Sequence, residues 1–180
     1  MAAKKMFNRI KQVFAALTAT ITQNDRQFVD RHLDSKGQNL FWGMNLPDQR
    51  HVLNVAYTAL QLAESYSKVD IALLIRCALL HDVGKCKGDI STFDKIITVI
   101  AYWLLPSWTE KWGRLGRGSK LSNLRHAFYI YYHHANRSAT MLQEIGESRQ
   151  LIEIIAKHHK TPADNDPLEL ILLRKADSMH

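Results

Sequence analysis

The stretch LLHDVGK, over residues 79–85, places His81 and Asp82 side by side at the end of an apolar run. Burial of a carboxylate beside an imidazole is unfavourable unless something pairs with them. A metal ion is one such partner, and a His–Asp hydrogen bond without an ion is the alternative. If a metal is bound, other parts of the chain must supply the remaining ligands.

Histidine is the residue type that suggests where those ligands lie. Six of the nine histidines fall near apolar segments of four predicted helices: His51, His81, His133, His134, His158 and His159. A single buried histidine is usually a hydrogen-bonded core residue. Together with Asp82 and Asp177, however, the set offers the imidazole and carboxylate groups that suit a transition metal such as iron or manganese. Asp177 also has a simpler interpretation, as a carboxylate on a helix surface that pairs with Lys175.

The order of these residues resembles the HD superfamily of metal-dependent phosphohydrolases, in the HDIG-like branch that carries an HD-x-G-K motif. The resemblance covers residues 47–177, and it depends on an upstream histidine, the His-Asp dyad, a histidine pair and a late aspartate in that order. It implies a core metal site with four ligands: His51, His81, Asp82 and Asp177.

The resemblance also implies a second metal ion in members that hold two. Asp82 would bridge both ions, His134 would be the first additional ligand, and His159 the second. His158 is a close competitor of His159 for that role. We expect His133 to lie off the site, because adjacent residues on a helix point about 100° apart.

The activity implied by the resemblance is hydrolysis of a nucleotide-type phosphoester or phosphoanhydride by a metal-activated water. Asp82 and Lys85 are the expected catalytic residues, since Lys85 follows Gly84 on a turn from which its ammonium can reach a substrate phosphate. One or two divalent ions are expected, iron or manganese first, with magnesium, nickel, cobalt or zinc as alternatives. The competing interpretation is a nucleotide-binding regulatory module that kept the fold and lost turnover.

The substrate is less well defined. The stretches IIAKHHKT and KAD are similar to HD-type symmetrical diadenosine tetraphosphate hydrolases, although the segment between Asp82 and His134 is longer here. That segment holds Trp103, Trp108 and Trp112, which either form the wall of a nucleobase pocket or pack as core or as a dimer face. The HD-GYP branch, which cleaves cyclic di-GMP, is not favoured, because KTPADNDP follows the histidine pair.

Charge favours anionic partners. The formal net charge is +7, and residues 111–143 contain no Asp or Glu, a pattern typical either of a solvated surface or of a rim that attracts phosphate. We expect a nucleotide or dinucleotide phosphate substrate, and no nucleic acid as the main partner. A basic amphipathic helix predicted over residues 5–20 either docks on the domain or contacts anionic lipid as a peripheral membrane surface. The oligomeric state stays open.

The elements that must position these residues are helices, because the apolar spacing contains no period-2 run that would favour a sheet. We therefore predict an all-α helical bundle. Helices beyond residue 20 are predicted over about residues 26–33, 47–66, 70–82, 91–105, 124–145, 148–159 and 167–177.

The predicted organisation has a helical extension over residues 1–46, packed on an HD domain over residues 47–180 with a long helical insertion at about residues 89–120. The longest apolar run, residues 96–105, is too short to cross a bilayer, which needs about 20 residues. Cys77 and Cys86 lie in one local segment, so we expect no disulfide framework and a reducing cytoplasmic location.

Overall fold

The structure, a computed structural model, describes residues 19–180, except for the side chains of Thr92 and Trp103. The described residues form helices and no strand, as the sequence predicts. The helices are α1 (Gln23–His32), α2 (Ser35–Trp42), α3 (Leu46–Ala63), α4 (Ile71–Leu80), α5 (Thr92–Leu104), α6 (Pro106–Trp112), α7 (Lys120–Ile145), α8 (Arg149–Lys157) and α9 (Leu168–Ser178). The basic helix predicted over residues 5–20 lies almost entirely outside the described residues. Among the described helices, none has the length and apolarity needed to cross a membrane.

The core is built around α3 and α4, which pack against each other and against α9, while α8 packs on α4 and α7. Val52, Val55 and Ala59 of α3 are fully buried, and so are Leu74 and Ala78 of α4. Because α4 is apolar on nearly all sides, its C-terminal end brings the residues that follow it into the interior.

Helices α1 and α2 lie against this core and contribute to it. Val29 of α1 and Phe41 of α2 are both fully buried within the same apolar cluster. Asp34 begins α2 by accepting a hydrogen bond from the Gly37 N–H, at 2.8 Å. The sequence prediction missed α2, because its spacing of apolar residues is short and its cap was not recognised.

The segment between α4 and α7 forms a second group of helices on α7. Ser91 begins α5 by accepting a hydrogen bond from the Asp94 N–H, as its spacing predicts. Pro106 ends α5 but also begins α6, a helix that the sequence prediction missed. Proline suits a first helical turn as well as it terminates the preceding helix, so the two roles coincide here.

Two helix starts differ from the prediction. Helix α7 begins at Lys120 instead of residue 124, because Ser119 accepts a hydrogen bond from the Ser122 N–H; it ends at Gly146, which has the left-handed φ of 85°. Helix α9 begins at Leu168 instead of residue 167, because Pro167 holds the N-cap position; the Asp166 carboxylate accepts from Ala163 N–H and Arg174.

Candidate metal centre

The His-Asp dyad lies in a tight turn directly after α4. Helix α4 ends at Leu80, two residues earlier than predicted, and His81 caps it. The Gly84 N–H donates to Ser138 Oγ of α7 at 2.9 Å. A side chain at Gly84 would overlap the His134 carbonyl oxygen and would lie 2.8 Å from Ser138 N. The turn is therefore held directly against the part of α7 that carries His134.

One group of donors comes from α3, the dyad turn and α9. It contains His51, His81 and Asp177, whose ligand atoms all lie within 4.8 Å of one another. Asp177 Oδ1 is 3.1 Å from His51 Nε2 and 3.8 Å from His81 Nε2. His81 is fully buried, whereas the His51 side chain is 25% exposed and faces the adjoining cavity.

A second group comes from the dyad turn, α7 and the end of α8. It contains Asp82, His134, His158 and His159, again with ligand atoms within 4.8 Å of one another. His134 Nε2 lies 3.3 Å from Asp82 Oδ1 and 2.9 Å from His159 Nε2. His158 is buried behind this pair, with its ring centroid 4.0 Å from that of His159 and 5.1 Å from that of His81. Both members of the histidine pair thus reach the site.

Asp82 joins the two groups through its two oxygens. Its Oδ2 lies 3.7 Å from His51 Nε2 and 3.6 Å from His81 Nε2, while Oδ1 faces His134. Lys85 donates to Oδ2 at 2.7 Å. A carboxylate in this position can contact two ions at once.

The three buried histidine rings are oriented by backbone carbonyls. His81 Nδ1 lies 2.8 Å from Ala78 O, and His158 Nδ1 lies 2.6 Å from Ile155 O. His134 Nδ1 lies 2.8 Å from Tyr131 O. A carbonyl oxygen only accepts, so each Nδ1 carries the proton and each Nε2 presents a lone pair.

Several of the metal-facing atoms of this site have no hydrogen-bond partner in the described part of the chain. Within the described residues, His81 Nε2, His158 Nε2 and Asp82 Oδ1 are buried without a hydrogen bond. Buried polar atoms are normally paired, so such a cluster calls for an explanation. Two nitrogen ligands about 2.1 Å from a shared ion and at right angles lie about 3 Å apart, which is close to the 2.9 Å between His134 Nε2 and His159 Nε2. The donors therefore fit a divalent metal.

The protonation states also suit metal binding. Burial, assisted by the nearby Lys85 charge, lowers the pKa of His134 to about 3. Burial likewise lowers the pKa of His158 and of His159, so these rings are neutral at neutral pH. Burial by itself raises the pKa of Asp82, but the surrounding charge, led by the Lys85 ammonium, holds that pKa well below its usual range. Neutral imidazoles and an ionised carboxylate are the forms that bind metal.

The structure places the other candidates away from the donors. His133 is exposed on the outer side of α7, where its ring lies 4.4 Å from that of Tyr129. Arginines near the cavity are engaged elsewhere: Arg50 pairs with Asp25, and Arg137 pairs with Asp89. Arg125 donates to Trp112 O and stacks on that indole ring.

A cavity of about 810 Å³ opens above the donors, and α5 forms one of its walls. Lys95, Thr98 and Tyr102 of α5 line it, together with Lys85 near the donors. Lys95 donates to Asp48 of α3 at 2.6 Å, which connects the two sides of the cavity. Thr98 Oγ1 is buried and has no hydrogen-bond partner among residues 19–180 as described. Sequence reasoning missed these α5 residues, although their spacing of three to four residues places them on one helix face.

The tryptophan wall that the sequence offered as one alternative is not found for Trp108 and Trp112. Neither lines the cavity; the two rings stack on each other at 5.0 Å and lie against Phe128. Of the Phe, Trp and Tyr side chains that the structure describes, those that line the cavity are tyrosines. Tyr102 lies across from Tyr131 and Tyr132, at ring centroid distances of 4.9 and 5.9 Å.

Comparison with known proteins agrees with this geometry. The family model of the HD domain matches residues 49–180, which hold every donor of the two groups. No curated protein and no solved structure matches the chain. The match covers well over half of the chain, and its fold is the helical bundle described above. The chain therefore belongs to the HD-domain family of metal-dependent phosphohydrolases.

Proposed function

We propose that the protein hydrolyses a nucleotide-type phosphoester or phosphoanhydride, as a member of the HDIG-like branch of its family. The observation that carries the proposal is the meeting of two donor groups on the two oxygens of Asp82, at the base of a cavity of about 810 Å³. A volume of that size is in the range of small-ligand sites.

The donors divide the work of holding metal. His51, His81, Asp82 and Asp177 would hold one ion, and Asp82, His134, His158 and His159 offer donors for a second. Imidazoles with carboxylates favour iron or manganese over magnesium, which prefers oxygen ligands. A bound divalent ion supplies Lewis acidity, which lowers the pKa of a bound water and draws charge from phosphoryl oxygens.

Asp82 and Lys85 are the proposed catalytic residues. Asp82 is ionised, so its carboxylate can accept a hydrogen bond from a water at the base of the cavity. That hydrogen bond would orient the water for attack. Burial by itself lowers the pKa of Lys85, but Asp82 and Asp48 outweigh it and raise that pKa, so the ammonium stays charged. A fixed cation at this position stabilises negative charge that develops on the phosphoryl oxygens.

The cavity wall supports a nucleotide as the substrate class. Lys85 lines the cavity next to the donors, and Lys95 lines it next to Asp48. Their ammonium groups would attract a phosphate chain. Farther along α5, Tyr102 adds an aromatic ring to a wall that also contains Val99 and Pro106. A nucleotide combines an anionic phosphate chain, which suits the two lysines, with a planar base, which suits the aromatic and apolar wall. Stacking of a base on an aromatic ring is favourable.

The second candidate is a regulatory module that binds a nucleotide without turnover. The retention of each predicted donor and of Lys85 favours the enzyme, because a module that has lost turnover has no need for these positions. The two candidates differ in one measurable respect: the module binds metal and nucleotide but releases no phosphate.

The test is a phosphate-release assay with the manganese-loaded and the iron-loaded protein, on a panel of mononucleotides, dinucleotides and dinucleoside polyphosphates. Metal content is measured on the same samples. Asp82→Asn should abolish turnover with the fold retained, and His134→Ala should lose metal and activity. His133→Ala, the adjacent histidine on the outer side of α7, is the matched control and should keep both.

Full activity in Asp82→Asn would overturn the mechanism. Metal bound by the unaltered protein with no hydrolysis of any substrate on the panel would favour the regulatory module. Equal effects of His133→Ala and His134→Ala would show that the loss in His134→Ala does not come from the site.

A further inference from the structure

Helix α5 has two opposite faces, and only one of them belongs to the cavity. At about 100° per residue, Lys95 and Tyr102 point to the cavity side of the helix, while Phe93, Ile100 and Leu104 share the opposite side. Phe93 is 71% exposed and Leu104 is 70% exposed. This outer stripe is about 16 Å long, from the 1.5 Å rise of a helix.

The apolar surface continues beyond α5. Leu105 and Trp108 are 58% and 50% exposed, and both follow the stripe at the start of α6. We call these five residues the outer apolar face: Phe93, Ile100, Leu104, Leu105 and Trp108. Soluble monomers rarely expose several large apolar side chains next to one another. We therefore expect the outer apolar face to contact another molecule.

The residues that follow the outer apolar face are cationic. Four exposed basic residues lie from the last turn of α6 to the first residue of α7: Lys111, Arg114, Arg117 and Lys120. In the part of the chain that the structure describes, none of the four forms an ion pair with an acidic side chain. They alternate with Leu115 and Leu121, which are also exposed.

Acidic residues are scarce on this segment. Between residues 92 and 121 the sequence has only Asp94 and Glu110 as acids. Asp94 accepts a hydrogen bond from the Ser91 hydroxyl at the start of α5, so it is already engaged in the helix cap. The surface therefore combines exposed apolar side chains with an excess of positive charge.

An anionic bilayer matches both properties of this surface. Apolar and aromatic side chains can enter the headgroup boundary while Lys and Arg contact lipid phosphates, and tryptophan is favoured at that boundary. A second copy of the chain would bring two cationic edges together, which opposes self-association. We propose that the outer apolar face and its four basic neighbours bind the surface of an anionic membrane, with α5 lying in the interface.

The test is vesicle flotation with the full chain and no added nucleotide. One set of vesicles contains phosphatidylcholine alone, and a second set contains phosphatidylcholine with phosphatidylglycerol. The protein should float with the anionic vesicles only, and added salt should weaken binding. Phe93→Ser/Leu104→Ser should reduce the bound fraction, and so should Arg114→Glu/Arg117→Glu, each by at least about tenfold.

Each variant has a matched control elsewhere on the surface. Ile71→Ser/Ile171→Ser changes two exposed apolar side chains, and Arg31→Glu/Lys68→Glu reverses two exposed charges; both should float like the unaltered protein. Circular dichroism checks that every variant is folded. Because residues 1–18 are intact in all of them, membrane binding that persists in Phe93→Ser/Leu104→Ser would overturn the proposal.

Two further outcomes would also overturn it. One is the absence of flotation with anionic vesicles. The other is a dimer in sedimentation velocity that Leu104→Ser converts to a monomer while vesicles stay unbound, since the outer apolar face would then be an interface between two copies.

Discussion

At the scale of single residues, side-chain direction separates neighbours of the same type. His133 and His134 are adjacent on α7, yet His134 is buried against Asp82 while His133 is exposed. The helical rotation of about 100° per residue accounts for the difference. His158 and His159 are also adjacent but both reach the site: His158 is the C-cap residue of α8, and His159 follows it outside the helix.

Gly84 gives a prediction at this scale. A methyl group there would overlap the His134 carbonyl oxygen and crowd Ser138 N, which are backbone atoms that cannot rotate away. We expect Gly84→Ala to lower the free energy of unfolding by about 3 kcal/mol, measured by urea denaturation, and to reduce metal content. Gly37→Ala is the control, since its nearest contact, at 3.3 Å, is a side-chain oxygen of Asp34 and not a backbone atom. An unchanged unfolding midpoint for Gly84→Ala would contradict the close packing of the dyad turn on α7.

At the scale of elements, α1 is fastened to α3 through one buried carboxylate. Asp25 of α1 accepts from Arg50 and from the Tyr57 hydroxyl, both on α3 and both at 2.8 Å. Burial by itself raises the pKa of Asp25, but hydrogen bonds from Thr22, Arg50 and Tyr57 outweigh it and lower the pKa to about 2. Burial, together with the same contact to Asp25, raises the pKa of Tyr57 to about 12.

The Asp25 contact predicts a pH-dependent stability. The folded pKa of about 2 lies below the ordinary value of 3.8, so the ionised form favours the fold. Asp25→Asn should lower the free energy of unfolding by about 2 kcal/mol at pH 7. The difference from the unaltered protein should be complete above about pH 5 and should be lost as the pH falls through about 2. Urea denaturation across that range measures it, with exposed Asp30→Asn on the same helix as the control.

A difference between Asp25→Asn and the unaltered protein that stays constant from pH 7 to pH 2 would argue against an ionised Asp25 as its source. Equal destabilisation by Asp30→Asn would argue against the contact itself. Residues 19–46 lie before the range that the HD family model matches, so the experiment also measures how much this part of the chain contributes to the fold of the rest.

At the scale of the whole molecule, the donors connect elements that are far apart in sequence. His51 and Asp177 are separated by more than one hundred residues, yet their ligand atoms lie 3.1 Å apart. Residues on or directly after helices α3, α4, α7, α8 and α9 supply the donors. A metal that binds the folded protein and not the unfolded chain must therefore stabilise the whole fold.

Metal removal gives the prediction at this scale. Manganese or ferrous iron at about one hundred times its dissociation constant should raise the melting temperature of the chelator-treated protein by about 8 °C. Differential scanning calorimetry measures the shift. Asp177→Asn should reduce it, because one donor is lost, whereas His133→Ala should show the full shift. Identical melting temperatures with and without divalent ions would count against a metal centre at these residues.

The helices themselves were largely predictable from the sequence, because caps and apolar spacing act locally. Ser91 and Gly146 mark the ends of α5 and α7 as their residue types indicate. Helix α6 was not predictable in this way, since Pro106 serves as both a stop and a start. The pairing of Arg137 with Asp89 was not predictable either, since the two residues lie 48 positions apart in the chain.

What the sequence by itself determined is the chemistry that is available: the donor types, their order along the chain, and a helical fold with an HD motif. Only the tertiary structure decided which donors meet and which side chains line the cavity. The packing of α5 and α6 on α7 places Lys95 and Tyr102 in the cavity wall. The same packing leaves the rings of Trp108 and Trp112 outside the wall. The physical reason is that local patterns set the helices, whereas the direction of a side chain in space depends on contacts between distant elements.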